Sequence, residues 1–135
     1  MSVLLDTGIV YAYYDRSDAW HARARALVES EQRGLILPAP IIPEVDWLLG
    51  QRLGRRSRLT FYEGISAGYY LVVDLPTAAY PRIAELNRQF SDRDLGFVDA
   101  AVITVAEVLG LGRIATTDRR HFEPVAAALS LTLLP

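Results

Sequence analysis

The chain contains no cysteine and no lysine. Without cysteine there is no disulfide, no thiol nucleophile, no zinc–thiolate site and no iron–sulfur ligation, a usage that agrees with a reducing compartment. Without lysine there is no Schiff-base chemistry and no phosphate-loop or receiver-domain lysine, so every one of the fourteen basic residues is an arginine. No apolar run is long enough to span a bilayer, and no basic region precedes the first acid, Asp6. The expected location is therefore the cytoplasm, with no membrane partner. Excess positive charge is missing too: the formal net charge is −2, which argues against broad adhesion to nucleic acid but is compatible with a local basic rim.

What is present is 135 residues without repeat, linker or low-complexity segment, expected as a single domain over 1–135. A chain of this size buries roughly two-thirds of its unfolded surface, enough for a core without staples. Short apolar runs at 2–6, 35–37, 70–73, 113–117 and 131–134 read as strands. Helical spacing covers 9–14, 18–31, 42–53, 56–67, 77–90 and 98–109, with a turn at 38–43 and a polar loop at 91–96. Strands alternating with helices predict parallel βαβ units. The helix over 98–109 is nearly all apolar and is expected to be buried.

Four acids stand at the ends of these apolar segments. Asp6 and Asp118 are expected to terminate strands, and Glu44 and Asp99 to sit in the first turns of helices. In a right-handed parallel sheet those positions share the carboxyl edge, where ligands bind. Each acid alone has a plainer explanation, as a helix cap or as a charge favoured by the helix dipole. Four coincidences are harder to explain than one site. Carboxylates brought together repel and raise one another's pKa, and a hard divalent cation removes that penalty, Mg²⁺ fitting a few carboxylates with retained waters. Such a site activates water and stabilises both oxygens of an in-line phosphodiester displacement.

The stretches Asp6-Thr7-Gly8, Pro43-Glu44, Leu95-Gly96-Phe97-Val98-Asp99-Ala100-Ala101 and Thr116-Thr117-Asp118-Arg119-Arg120-His121-Phe122 together resemble the PIN-domain ribonucleases. More closely they are similar to the VapC toxins of bacterial type II toxin–antitoxin pairs, over essentially the whole chain. The resemblance implies a PIN-like three-layer α/β/α fold with a central parallel sheet of four to five strands. It implies endonucleolytic cleavage of RNA, transfer or ribosomal, with Asp6, Glu44, Asp99 and Asp118 as the quartet around Mg²⁺ or Mn²⁺. It further implies a homodimer and a cognate VapB-type antitoxin. Thr7, Thr116, Thr117, Arg119 and Arg120 are candidate substrate contacts, Thr116 or Thr117 as a supporting hydroxyl.

Several residues stay open between roles. Asp92 and Asp94 stand near the metal or are solvated in their loop. Asp46, two positions after Glu44, faces away from it. The arginine-dense stretch 51–58 contacts RNA or antitoxin, or is a solvated helix end. His121 donates to phosphate or caps a turn. Trp20, Trp47 and the tyrosines stack on unpaired bases or belong to core and interface. Two alternatives to the toxin remain: a degenerate binding module on the same fold, and another metal-dependent phosphohydrolase. A haloacid-dehalogenase phosphatase would need an aspartate where Gly8 stands.

Overall fold

The computed structural model describes residues 2–135. Five strands, β1 (Val3–Leu5), β2 (Leu35–Pro38), β3 (Leu71–Val73), β4 (Arg113–Ala115) and β5 (Thr132–Leu134), form one sheet in the order β3-β2-β1-β4-β5. Every neighbouring pair is parallel, with Leu4 opposite Ile36 on one side and Ile114 on the other. Val3, Leu4 and Leu5 are fully buried, as expected of a central parallel strand covered on both faces.

Seven helices cover the sheet: α1 (Thr7–Tyr14), α2 (His21–Ser30), α3 (Ile42–Arg52), α4 (Arg55–Ser66), α5 (Tyr80–Gln89), α6 (Gly96–Leu109) and α7 (Arg119–Leu129). Right-handed crossovers put α1 to α4 on one face and α5 to α7 on the other, consistent with packing of α1 on α2 and α3 and of α5 on α6. The chain thus winds outward from β1 to β3, crosses back, and continues through β4 to β5. The reversal falls between β1 and β4, a topological switch point, where open α/β sheets bind ligands beyond the strand ends.

Residues Ala100 to Ala106 of α6 are all buried, which confirms the central helix expected from its apolar run. Thr104, the polar member of that stretch, donates its hydroxyl to the Ala100 carbonyl at 2.7 Å. The helix ends at Gly110 in the left-handed region, φ 66°, which a glycine adopts without strain. Among the described residues no buried side-chain polar atom lacks a hydrogen-bond partner, and no helix is long and apolar enough to cross a membrane.

Three local expectations are corrected. The helix expected from residue 18 begins at His21, because Asp18 forms a turn: its carboxylate accepts from the Trp20 N–H at 2.8 Å and its carbonyl from the His21 N–H at 3.0 Å. The strand expected over 113–117 stops at Ala115, so Asp118 does not terminate it but opens α7. Helix α7 itself was not expected; its buried Phe122, Val125 and Ala126 outweigh the missing N–H of Pro124 inside it.

Candidate active site

Asp6 is the last residue held by the sheet, its N–H donating to the Ala115 carbonyl at 2.9 Å. It occupies the position before α1 in an extended conformation, yet its side chain makes no cap bond. Instead Oδ2 accepts the buried Thr116 hydroxyl at 2.8 Å. The carboxylate is only 5 % exposed. A carboxylate held by a hydroxyl 110 positions away, with no cap bond to the helix it precedes, favours a site.

Thr116 ties two acids together. Its Oγ1 donates to Asp6 and accepts the Asp118 N–H at 2.9 Å, tightening the turn that delivers Asp118. Asp118 does cap α7, accepting the His121 N–H at 3.2 Å. It also faces His121 Nδ1 at 2.8 Å through Oδ2 and at 3.0 Å through Oδ1. Because an ionised carboxylate only accepts, that nitrogen carries the proton. On the other flank, the Thr7 hydroxyl donates to Glu44 Oε1 at 2.7 Å, joining α1 to α3 across 37 positions.

The electrostatics join all four acids. Burial pushes the Asp6 carboxyl up to about 6, opposed by the Thr116 hydroxyl and the Thr7 N–H and reinforced by the charges of Asp118 and Glu44. Burial likewise pushes Asp99, half-buried at the start of α6, up to about 7, with Asp6, Asp118 and Glu44 adding repulsion and His121 opposing it. The structure therefore brings the four predicted acids into one field at the switch point. Strongly perturbed carboxylates in such a place mark functional sites.

The donor set is all oxygen and strongly anionic, which fits a hard divalent cation rather than a thiophilic one. Among the described residues no three acidic or histidine side chains stand as a finished metal cage. Three of the four carboxylates rest on neighbours: Asp6 on Thr116, Glu44 on Thr7, Asp118 on His121. Charge and donor chemistry fit the cation, with the carboxylate oxygens engaged by hydroxyl or imidazole donors.

The remaining candidates separate clearly. Asp92 and Asp94 are exposed in the loop before α6, Asp92 lying 3.7 Å from Arg93. Asp46 points away from Glu44 as expected, bound by Arg58 at 2.7 and 3.0 Å and by the Tyr62 hydroxyl, which pulls its carboxyl below the usual range. Arg119 donates to the Pro135 carbonyl, whereas Arg120 is exposed. In the basic stretch, Arg52 lies 5.1 Å over the Tyr11 ring, and Arg55 and Arg56 are exposed. A cleft of about 930 Å³ between α1, α2 and α4 contains none of the four acids. An open edge, not an enclosing cavity, suits a polymer.

One close approach escaped sequence reasoning. A Cβ built on Gly8 would stand 2.1 Å from Thr117 Oγ1 and 3.3 Å from its Cβ, so α1 reaches the β4 turn only because position 8 is glycine. Gly8→Ala is expected to destabilise the protein by about 1–2 kcal/mol, the overpacking outweighing the helix-propensity gain. Thermal melts of Gly8→Ala with and without Thr117→Ala check this, the second change recovering most of the loss. The signal was the glycine two positions after the site acid Asp6. The Thr7–Glu44 bond had no local signal.

A parallel α/β domain with both faces covered and four carboxylates at its switch point is the class that fold and site define. The chain belongs to the PIN domain family, whose family model matches residues 3–128. It is similar to ribonuclease VapC26 of Mycobacterium tuberculosis, 26 % identical over 120 residues, which cover 89 % of each chain. The fold matches the crystal structure of VapC20 of M. tuberculosis, a toxin that cleaves the sarcin–ricin loop. That match has a TM-score of 0.85 at 21 % identity and covers 99 % of this chain and 100 % of the other. It also matches DNA-bound VapBC from Salmonella typhimurium, with a TM-score of 0.74 at 16 % identity, covering 98 % of this chain and 96 % of that one.

Proposed function

We propose that this protein is a metal-dependent endoribonuclease that acts as the toxin of a toxin–antitoxin pair in the cytoplasm. The observation that carries the reading is the convergence of Asp6, Glu44, Asp99 and Asp118, with Asp6 and Asp99 pushed up to about 6 and about 7. Such a cluster is costly to keep unless a cation uses it. The likeness to a ribonuclease along 89 % of the chain supports the substrate class.

In this reading the four acids hold Mg²⁺, with Mn²⁺ able to substitute. When bound, such a cation lowers the pKa of water and neutralises charge developing on phosphate oxygens. The protein's own groups set the geometry. Thr116 fixes Asp6 and the Asp118 backbone, Thr7 fixes Glu44, and His121 orients the Asp118 carboxylate. The exposed Arg120 supplies positive charge beside the acids for the RNA backbone. Thr117, packed against Gly8, shapes the turn. The chain has no lysine or cysteine nucleophile, and water is the attacking group.

The substrate is an RNA loop, transfer or ribosomal. The partners are a VapB-type antitoxin and a second copy of the chain, a reading supported by the fold likeness to VapBC and to the FitAcB structure from Neisseria gonorrhoeae (TM-score 0.64, 20 % identity, 98 % of this chain and 96 % of that one). Expression of the wild type in cells without an antitoxin is expected to stop growth, and Asp99→Asn to relieve the arrest. Normal growth of cells making soluble wild-type protein would overturn the toxin assignment.

A further inference from the structure

Trp47 lies in α3 one turn beyond Glu44. Residues three apart on a helix are surface neighbours, about 5–6 Å between Cβ atoms. Helical side chains also lean toward the N-terminus, which tips the Trp47 ring over the turn that carries Glu44. Glu44 is tied to the site by Thr7 at 2.7 Å. The ring therefore stands beside Glu44, one helical turn from that member of the acidic group.

Its exposure is the second observation. Trp47 is 62 % exposed, whereas α3 is anchored to the core by the fully buried Val45 and Leu49 on another side of the helix. The other tryptophan is committed elsewhere: Trp20 is half-buried, with the Arg23 guanidinium 3.7 Å from its ring centre. Along the same face of α3, Gln51 follows Trp47, and the exposed Arg55 and Arg56 open α4. An acid for the cation and a flat ring for a base thus stand on successive turns of α3, and exposed arginines follow in the chain at the start of α4.

We propose that Trp47 is a stacking platform for an unpaired RNA base beside the scissile phosphate, and so determines which single-stranded sites are cut. The proposal rests on the ribonuclease reading above. Aromatic rings accept any base through its π-face, and proteins recognise unpaired RNA in this way. A duplex, its bases already stacked, gains nothing from the ring.

The test uses the full chain in an Asp99→Asn background, so that RNA is bound without being cut. Binding of a short fluorescent single-stranded RNA is measured by anisotropy, alongside a duplex of the same sequence. Trp47→Ala is expected to weaken single-strand binding about tenfold and leave duplex binding unchanged, while Trp47→Phe stays close to the parent. Tyr69→Ala, which removes a ring 68 % exposed on the cleft away from the acids, is expected to change nothing. In the otherwise wild-type protein, Trp47→Ala raises KM and relaxes base preference next to the cut. Circular dichroism checks that each variant is folded. Single-strand binding within twofold of the parent, or equal loss on duplex, overturns the proposal. So does a loss confined to antitoxin neutralisation, which would make Trp47 a protein contact. If the wild type cuts RNA and Trp47→Ala cuts it identically, this inference fails alone. If the wild type neither binds nor cuts RNA, the ribonuclease reading fails with it.

Discussion

Asp6→Asn is expected to lower RNA cleavage at least about a thousandfold and, in the same protein without metal, to raise Tm at pH 8. The first effect follows from the role assigned to the carboxylate. A ligand that helps place a cation worth several kcal/mol of transition-state stabilisation removes about three powers of ten when lost. The second follows from its surroundings. Asp6 is 5 % exposed beside Glu44, Asp99 and Asp118, and burial and repulsion both disfavour its charge. The amide of asparagine keeps an oxygen for the Thr116 hydroxyl while removing that charge. A gain of about 1–2 kcal/mol corresponds to roughly 3–8 °C for a domain of this size. Activity and stability move in opposite directions, as expected where a site is kept strained for function. Cleavage assays and thermal melts on one preparation check both. A structural role for Asp6 would instead lower both.

The second large effect is a pH-dependent stabilisation by metal. Asp6 and Asp99 have folded-state values of about 6 and about 7, above the ordinary 3.8. Between pH 4 and pH 7 the metal-free folded state therefore holds more protons than the unfolded chain. Stability present below pH 4 is lost as pH rises through 6 and 7. Burial is the largest cause of both shifts, with repulsion among the acids adding to it, so both carboxyls contribute to the loss, the half-buried Asp99 with more solvent screening than Asp6. A divalent cation binds the ionised form and reverses the trend. At a hundredfold excess over Kd, binding adds about 2.7 kcal/mol, or roughly 10 °C at this chain length. Melts with Mn²⁺ are expected to show that shift at pH 8, little at pH 5, and a reduced shift for Asp99→Asn. Equal shifts for wild type and Asp99→Asn would remove Asp99 from the site.

Much of this was legible in the residues, for physical reasons. The inner strands β1 and β2 are buried on both faces, so they appear as short unbroken apolar runs, Val3-Leu4-Leu5 and Leu35-Ile36-Leu37, whereas the edge strands β3 and β5 are mostly apolar in sequence yet exposed or half-buried. Helix α6 was readable because a helix with no polar face has to be central. The four acids stood out because each interrupts or bounds such a segment. Helix α7 was hidden by Pro124 and by the charged run Asp118-Arg119-Arg120, although Phe122, Val125 and Ala126 carry the helical spacing. Strand order was not readable from periodicity, since the crossing that places β4 beside β1 depends on tertiary packing. Nor was the division of labour among hydroxyls: Thr7 serves Glu44, Thr116 serves Asp6, and Thr117 meets Gly8, partners 37, 110 and 109 positions apart.

Under the proposed ribonuclease reading, a slightly acidic protein holds RNA through local positive charge. The structure ties Arg58 to Asp46 and Arg113 to Glu31, whereas Arg120, two positions after Asp118, and Arg55 and Arg56 at the start of α4 are exposed. A few well-placed guanidinium groups hold a backbone without coating the whole surface in charge.

Incubating purified wild-type protein with total RNA, in Mg²⁺ or Mn²⁺ against EDTA and against Asp6→Asn, tests the central claim most directly when fragment ends are mapped. Attack by water predicts discrete cuts leaving 5′-phosphate and 3′-hydroxyl ends, lost both in EDTA and in Asp6→Asn. Cuts that survive either control, or that end in 2′,3′-cyclic phosphate from attack by the RNA's own hydroxyl, would contradict it. So would no cutting by folded, antitoxin-free protein.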